Sequence, residues 1–139
     1  MKIYLSSILT ALLLFFAPIK GIILMVALAT ILDTCFGVWK AKKTGEEITS
    51  KIFRNGLVPK LVSYVAAVML IYASDVFIIN ALTLSVISVE FISTKLIALV
   101  LLSIEVKSMD ESFVKVKGYS FIDKIKAIIA KLKDVKKQF

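Results

Sequence analysis

Long apolar runs, interrupted by single charges and short polar turns, divide the chain into four segments. Their bounds are 3–19, 22–39, 57–80 and 82–104. A membrane-spanning helix needs about 20 mostly apolar residues, and runs this long and uniform are not typical of a water-soluble core. The pattern therefore predicts an all-α integral membrane protein, with about four transmembrane helices in residues 1–106. The second and third segments fit the required length best, and the fourth is polar in its middle.

The connections between the segments leave some alternatives open. Pro18 and Gly21 lie between the first two segments, which predicts a tight helical hairpin at this point. In the alternative layout, three segments cross the membrane and the first or the fourth lies at its surface. The first segment could also be a cleaved signal peptide, although no small-residue cleavage site of the usual kind precedes Lys20.

Basic residues are concentrated in two regions, and their distribution predicts the orientation of the chain. Six of them lie between residues 40 and 60, and nine lysines lie from residue 107 onward. An excess of Lys and Arg marks the cytoplasmic side of a membrane protein. Two spans separate the two basic regions, so they fall on the same side. With four spans, both the amino and the carboxyl terminus are expected in the cytoplasm.

The basic tail, residues 107–139, contains a second helical pattern. From Ser120 onward, apolar residues recur with a period of 3.6, and Ser120 with Asp123 resembles a capping box at the start of a helix. Much of the other face is basic, with Lys124, Lys126, Lys131, Lys133, Lys136 and Lys137. Such a helix either lies on an anionic membrane surface or packs in a cytoplasmic bundle with copies of itself.

Composition excludes several classes of function. The chain has 139 residues, 59% of them hydrophobic, and a net charge of +8. It has no histidine and one cysteine, Cys35, which excludes Ser-His-Asp and Cys-His catalysis, an internal disulfide and an imidazole–thiolate metal site. Cys35 itself is predicted to be a small buried packing residue. We expect no enzyme activity, no cofactor and no small-molecule substrate. No basic patch interleaved with aromatic residues predicts nucleic acid binding.

Four charged residues lie within the predicted spans: Asp33, Asp75, Glu90 and Lys95. A charge at mid-membrane costs about 2.5–3.5 kcal/mol on insertion scales, so such groups usually face a partner or water. Depths counted from the outer turns, at about 1.5 Å per residue, are similar for Asp33 and Lys95 and predict a salt bridge between them. Asp75 and Glu90 then lack a basic partner. Either these groups are structural, with Asp75 at a helix end, or they line a wet interface between copies.

Small residues at helical spacing predict close helix packing. Gly37 and Ala41 have the small-xxx-small spacing that allows helices to approach closely in lipid. The third segment carries a stripe formed by Ser63, Ala66, Ala67, Ala73 and Ser74. These positions are expected to form contacts either between copies or within one subunit.

Several landmarks, taken in order, resemble a known family. Asp33, Gly37 and Ala41 have a D-x-x-x-G-x-x-x-A spacing, and TSKIFRNGLVPKL at 49–61 is a Ser/Thr-rich turn before a Gly-Leu and a basic residue. YASD ends the next segment at Asp75, EVKSMDES at 105–112 contains E-x-x-S-x-x-E, and a glycine precedes the basic tail. In this order the landmarks resemble phage lysis and toxin-secretion holins, of the bacteriophage holin 4-like kind. The matching positions are Asp33, Gly37, Ala41, Gly56, Glu105, Ser108, Glu111 and Gly118.

The resemblance implies a function without catalysis. A holin accumulates in the host cytoplasmic membrane and then assembles into lesions, which collapse the membrane potential and release a cell-wall hydrolase, the endolysin. The implied partners are therefore the lipid bilayer, further copies of the chain and the endolysin. The alternatives are an export pore for a toxin or other protein, an antiholin, a membrane protein of the virion, and a small channel or transporter using Asp33, Glu90 and Lys95. Ser112 stands where the family has Asn.

Overall fold

Helices account for most of the chain in the computed structural model, which describes residues 2–48, 50, 53–83 and 85–136. The helices are labelled in chain order as α1 (Lys2–Phe16), α2 (Lys20–Thr44), α3 (Val58–Ser74), α4 (Asn80–Thr83), α5 (Ile92–Lys117) and α6 (Phe121–Lys136). The described ranges contain no strand, which confirms the predicted all-α class. The predicted boundary between membrane region and tail, at residues 106 and 107, lies inside α5.

The first two helices form one continuous helical stretch. A short 3₁₀ turn, Ala17–Ile19, joins α1 to α2, and the stretch runs from Tyr4 to Thr44. Pro18 is compatible with this path because a proline in the first turn of a helical segment lacks only an N–H that would have no partner there. Gly21 lies within α2 and does not adopt a positive φ that would reverse the chain. The predicted hairpin at Pro18 and Gly21 is therefore wrong.

A second long helix follows the lysine-rich connection. A π-helical turn, Phe53–Leu57, leads into α3, and another, Asp75–Ile79, joins α3 to α4 without interruption. The resulting helix runs from Val58 to Thr83 and covers the predicted segment 57–80. A π-helical turn inside a longer helix shifts the facing of the residues that follow it, and such turns are frequent at functional sites.

The fourth predicted segment does not coincide with one helix. Residues 85–91 form a non-helical connection, and α5 begins at Ile92 instead of near residue 82. Three β-branched residues lie in this connection, Val86, Ile87 and Val89, and β-branching lowers helix propensity. Phe91 has a left-handed backbone with φ of 53°, a conformation that non-glycine residues adopt infrequently. The last long helix is therefore displaced toward the tail.

Helices α2, α3 and α5 pack together as a three-helix bundle whose directions follow from two levels of contact. At one level the Tyr72 hydroxyl donates a hydrogen bond of 3.0 Å to the Phe15 carbonyl, and the Tyr72 and Phe91 rings lie 5.0 Å apart. At the other level Lys60 contacts Asp33 and Glu105. From the first level to the second, residue numbers rise along α2 and α5 and fall along α3. Helix α3 is therefore antiparallel to its two neighbours.

The apolar core of the bundle is small, while much apolar surface remains exposed on a single subunit. The core consists of Ile19, Val26, Val68, Tyr72, Ala98 and Leu101. Outside it, most of the large apolar side chains of α1 and many on the outer faces of α2, α3 and α5 are exposed. An exposed apolar surface of this extent marks a lipid or protein interaction site. Two stretches, Tyr4–Thr44 and Val58–Thr83, are long and apolar enough to cross a membrane.

Candidate functional site

The central feature of the bundle is one ammonium group shared by two carboxylates. Lys60 Nζ lies 2.8 Å from Asp33 Oδ2 and 2.8 Å from Glu105 Oε2. The Glu105 side chain is fully buried, and the side chains of Asp33 and Lys60 are 14% and 29% exposed. Lys60 Nζ also lies 5.9 Å from the centre of the Tyr64 ring. We refer to Asp33, Lys60 and Glu105 as the charged triad.

The charged triad joins all three helices of the bundle at the end that carries the basic connection. Asp33 belongs to α2, Lys60 to the first turn of α3, and Glu105 to α5. One ammonium between two ionised carboxylates leaves a formal charge of −1. The Tyr64 side chain also interacts with the Glu105 carboxylate, whose second oxygen, Oε1, is buried. Burying a charge is unfavourable unless it is paired. The free-energy cost of burying both Asp33 and Glu105 in the bundle therefore depends on the position of Lys60.

The predicted salt bridge between Asp33 and Lys95 is wrong, because Lys95 lies at the opposite end of the bundle. α5 begins at Ile92, so Lys95 belongs to the first turn of the helix and its side chain is exposed. Asp33 pairs with Lys60 instead. Glu90 is also exposed, in the connection before α5. The ion pathway through Asp33, Glu90 and Lys95, which the channel or transporter alternative requires, is therefore not assembled within one subunit.

Asp75 has a structural partner that the sequence did not reveal. Its side chain is fully buried, and its Oδ2 accepts hydrogen bonds from Thr94 N–H at 2.7 Å and from Thr94 Oγ1 at 2.6 Å. Nearby, Asn80 Oδ1 accepts a 3.2 Å hydrogen bond from Phe91 N–H. The first N–H groups of a helix lack partners in that helix, and a carboxylate is favourable beside them. Asp75 therefore caps the start of α5, and it does not end its own helix.

Most of the landmark residues lie around one open pocket beside the charged triad. This pocket has a volume of about 230 Å³ and is lined by Asp33, Thr34, Gly37, Gly56, Leu57, Lys60, Ser108 and Ser112. It draws residues from α2, from the turn before α3 and from α5, which are distant in sequence. Glu105 reaches the same place through its contact with Lys60. We refer to this cavity as the triad pocket.

The remaining landmarks lie outside the triad pocket. Ala41 is buried within the subunit, and Glu111 is exposed on α5. Gly118 ends α5 with φ of 78°, and its N–H donates to the Val114 carbonyl at 2.8 Å. This left-handed position favours glycine, which accounts for the residue by helix termination alone. Because Ala41 is covered by its own chain, the spacing of Gly37 and Ala41 reflects packing inside the subunit at least at Ala41.

The stripe of small residues on α3 lies outside the apolar core of the bundle. Ser63 and Ala66 are exposed, and Ala67, Ala73 and Ser74 are partly exposed. The hydroxyls of Ser63 and Ser74 donate to carbonyls one turn earlier in the same helix. At helical spacing, Leu70 lies among these residues and is 70% exposed. The outer face of α3 therefore combines small residues with two larger exposed ones, Val62 and Leu70.

A second cavity lies at the same end of the bundle and is apolar. Its volume is about 340 Å³, and Cys35, Phe36, Trp39 and Phe113 line it. The Trp39 and Phe113 rings lie 5.9 Å apart. Cys35 is exposed at this cavity, so the prediction of a buried packing residue is wrong for a single subunit. Cys35 faces outward because the other side of α2 packs against α3 and α5.

The basic tail helix is attached to α5 by an aspartate. Asp110 Oδ1 accepts hydrogen bonds from Phe121 N–H at 2.8 Å and Ile122 N–H at 3.3 Å, and its Oδ2 accepts one from Ser120 Oγ at 2.7 Å. Ser120 Oγ also accepts from Asp123 N–H at 3.0 Å, which confirms Ser120 as the predicted cap. Lys124, Lys126, Lys131 and Lys133 are exposed. The side chains of Lys136 and Lys137 lie outside the described part of the chain.

The sites described above contain charged groups and hydroxyls. Among the described residues, no group of three or more His, Cys, Asp or Glu side chains is placed to hold a metal ion. The hydroxyls of the triad pocket belong to Thr34, Ser108 and Ser112, with no imidazole or thiol beside them.

Comparison of the chain with protein-family models, curated proteins and solved structures finds no match. A function can therefore be inferred only from the geometry of this chain.

Proposed function

We propose that this protein is a holin, a phage protein that assembles in the host cytoplasmic membrane into lesions through which an endolysin leaves the cell. The observation that carries the proposal is the triad pocket. The landmarks that resemble the holin pattern come from segments far apart in sequence, and Asp33, Gly37, Gly56 and Ser108 line one cavity with Lys60. Glu105 contacts the same lysine. A spatial cluster of this kind supports a shared role for these positions.

The membrane arrangement belongs to the same proposal. α2, α3 and α5 each cross the bilayer, with the lysine-rich connection and the tail in the cytoplasm. Because α1 continues directly into α2, three crossings place the amino terminus outside, unlike the four-span layout with both termini inside. The stretch Tyr4–Thr44 has 41 residues, and at 1.5 Å per residue it is about 60 Å long, roughly twice the hydrocarbon thickness. We therefore propose that α1 reaches the bilayer through a bend at Ala17–Ile19, because tilt alone would need an angle of about 60°.

The distribution of surfaces supports assembly of several copies. A single subunit exposes apolar side chains on α1 and on the outer faces of the bundle, and its charged triad lies between the three helices. When copies associate through these outer faces, their charged triads stay intact. The polar and charged ends of the neighbouring bundles then meet around a shared opening, the proposed lesion. A selective channel through one subunit is disfavoured, because Asp33 is far from the exposed Glu90 and Lys95 along the bundle. An export pore for another protein remains the nearest alternative, because it has the same physical requirements.

Regulated expression in a bacterium tests the proposal. The chain is expressed with a cytoplasmic wall hydrolase that lacks its own export signal, and a potential-sensitive dye is recorded together with culture density. We expect a delayed, abrupt loss of potential followed at once by lysis. Cells expressing the hydrolase alone should keep both potential and density. Stable potential at high expression would refute the holin proposal, and loss of potential without lysis would favour a small channel.

The placement of the amino terminus is tested separately. A reporter that is active on only one side of the membrane is fused to the amino terminus, and a second copy is fused to the carboxyl terminus in a separate strain. Three crossings predict reporter signals on opposite sides. Signals from the same side would support four crossings and a reversal near Pro18.

A further inference from the structure

The tail helix α6 has a three-part arrangement of side chains that goes beyond simple amphipathicity. Four exposed apolar residues form one stripe: Ile125, Ile128, Ile129 and Leu132. At 3.6 residues per turn, lysines border this stripe on both sides, Lys124 and Lys131 along one edge and Lys126 and Lys133 along the other. The face opposite the stripe carries Asp123, Ala127 and Ala130.

The start of α6 is fixed at one level of the bundle. Asp110 binds the first backbone N–H groups of the helix, and Phe121 contacts Phe113 with ring centres 5.5 Å apart. Phe113 also contacts Tyr119, at 5.4 Å, and Trp39, at 5.9 Å. Tryptophan and tyrosine are enriched where a membrane meets water. This aromatic group therefore places the beginning of α6 at the level of the interface on the lysine-rich side.

Within the described part of the chain, the apolar stripe of α6 is left largely uncovered. The contacts of α6 with the rest of the chain are near its start, through Asp110, Phe113 and the Tyr119 ring, which lies 3.6 Å from Lys124 Nζ. Lys126 forms an exposed 3.6 Å ion pair with Asp123 of its own helix, and the side chains of Ile125, Ile128 and Leu132 are more than half exposed. An occupant has to cover an apolar strip and offer negative charge along both of its edges. A second α6 would offer apolar residues bordered by lysines, so like charges would oppose each other along the contact. A leaflet with anionic headgroups meets both requirements.

We propose that α6 lies in the cytoplasmic headgroup layer of the membrane, with its apolar stripe toward the acyl chains and its two rows of lysines on lipid phosphates. Asp123, Ala127 and Ala130 then face the cytoplasm. The long lysine side chains can extend from the edges of the stripe to the phosphates while their methylene groups stay in the apolar layer. This proposal depends on membrane insertion of the bundle, which is part of the proposed function, but it does not depend on lesion formation.

Fluorescence quenching in vesicles tests this orientation on the full chain. In a Cys35→Ala background, single cysteines are introduced as Ile128→Cys, Ala130→Cys or Leu99→Cys and labelled with a small environment-sensitive fluorophore. Leu99 is exposed on the outer face of α5 and reports insertion of the bundle. The vesicles contain phosphatidylcholine with phosphatidylglycerol, and the quenchers are nitroxide-labelled lipid and aqueous iodide. A fourth variant replaces Lys124, Lys126, Lys131 and Lys133 by Gln in the Ile128→Cys chain.

We expect nitroxide-labelled lipid to quench the label at position 128 several-fold more than the label at 130, and iodide to show the reverse order. In vesicles of phosphatidylcholine alone, or in the glutamine variant, this contrast should fall at least twofold. Equal access of iodide to positions 128 and 130, with lipid contact at 99, would overturn the α6 proposal alone. Protection of position 128 from both quenchers would also overturn it, because another copy would then cover the stripe. Access of iodide to position 99 would overturn membrane insertion and both proposals.

Discussion

Lys60 Nζ lies 2.8 Å from Asp33 Oδ2, which links the first turn of α3 to the middle of α2. The same nitrogen lies 2.8 Å from the fully buried Glu105, so one lysine is shared by carboxylates on two helices. Removing one member of a buried ion pair leaves an uncompensated charge and costs about 3–5 kcal/mol. The stability of the subunit with both carboxylates buried therefore depends on Lys60.

Lys60→Met should consequently destabilise the subunit by about 3–5 kcal/mol, because two carboxylates would be left facing each other in the bundle. The matched control is Lys95→Met, which removes an exposed lysine that forms no salt bridge with any described residue and should change stability by less than about 0.5 kcal/mol. Unfolding in detergent is followed by the fluorescence of Trp39, the single tryptophan. Equal effects of the two substitutions, or a larger effect of Lys95→Met, would contradict the observed pairing.

The pairing of Asp33 with Lys60 could have been predicted from the sequence if depths had been counted from the other end of the helices. Depths counted from the outer turns relied on a reversal at Pro18 and on a helix start near residue 82, and the structure has neither. Counted from the lysine-rich end, Asp33 is close to the end of the segment 22–39, and Lys60 is close to the start of 57–80. Those two boundaries were marked by clear clusters of lysine, so the inner end was the better reference.

Substitution of Thr94 tests the buried contact with Asp75, at the end of the bundle opposite the charged triad. Its hydroxyl donates to the buried Asp75, and a hydrogen bond to a charged group contributes about 1.5–3 kcal/mol. Thr94→Val keeps the shape and should lower stability by about that amount. Ser103→Ala is the control, because the exposed Ser103 hydroxyl donates only to the Leu99 carbonyl of its own helix. An effect of Thr94→Val no larger than that of Ser103→Ala would exclude a stabilising Asp75 contact.

The contact of Asp75 with Thr94 could not be predicted from the sequence, and the reason is physical. The acceptor is a side chain on one helix, and one of the donors is a backbone N–H at the start of another. That N–H is free only because α5 begins at Ile92, and this start depends on tertiary contacts with Asp75 and Asn80. In contrast, Ser120 was predicted as a cap because its partner, the Asp123 N–H, is local.

Two glycines of the landmark set are expected to respond in opposite ways to alanine. Gly118 has φ of 78°, where a Cβ is strained, so Gly118→Ala should destabilise the junction between α5 and α6 by about 1 kcal/mol or more. Gly37 lies within α2, and a Cβ there meets no atom within 4 Å. Gly37→Ala should therefore raise helix stability by about 0.5–1 kcal/mol. Unfolding measurements on the two purified variants provide the comparison.

The Gly37 result also separates folding from assembly. If Gly37→Ala folds at least as well as the parent chain but delays or abolishes lysis, the glycine is needed where copies approach each other. If the variant is unstable, the open space beside Gly37 is not present in the folded subunit. The lysis assay with the co-expressed hydrolase gives the second half of this comparison.

The outer face of α3 is the surface on which we expect contact between copies to depend most on side-chain size. Ala66 is exposed there, and small residues allow helices to approach closely in lipid. Ala66→Leu should leave the fold of the subunit unchanged, because the new side chain lies outside the apolar core of the bundle, but it should separate neighbouring helices. We expect a longer delay before lysis and less cross-linked oligomer in isolated membranes.

Val62→Leu is the matched control for Ala66→Leu. Val62 is exposed on the same helix one turn earlier and is already large, so a further methylene there changes the outer face little. Membrane insertion, measured as the alkali-resistant fraction of each variant, should be the same for both. Because hydrophobicity rises in both variants, a lysis delay confined to Ala66→Leu would reflect helix approach and not altered insertion. Unchanged timing and unchanged cross-linking in Ala66→Leu would exclude this face of α3 from the contact between copies.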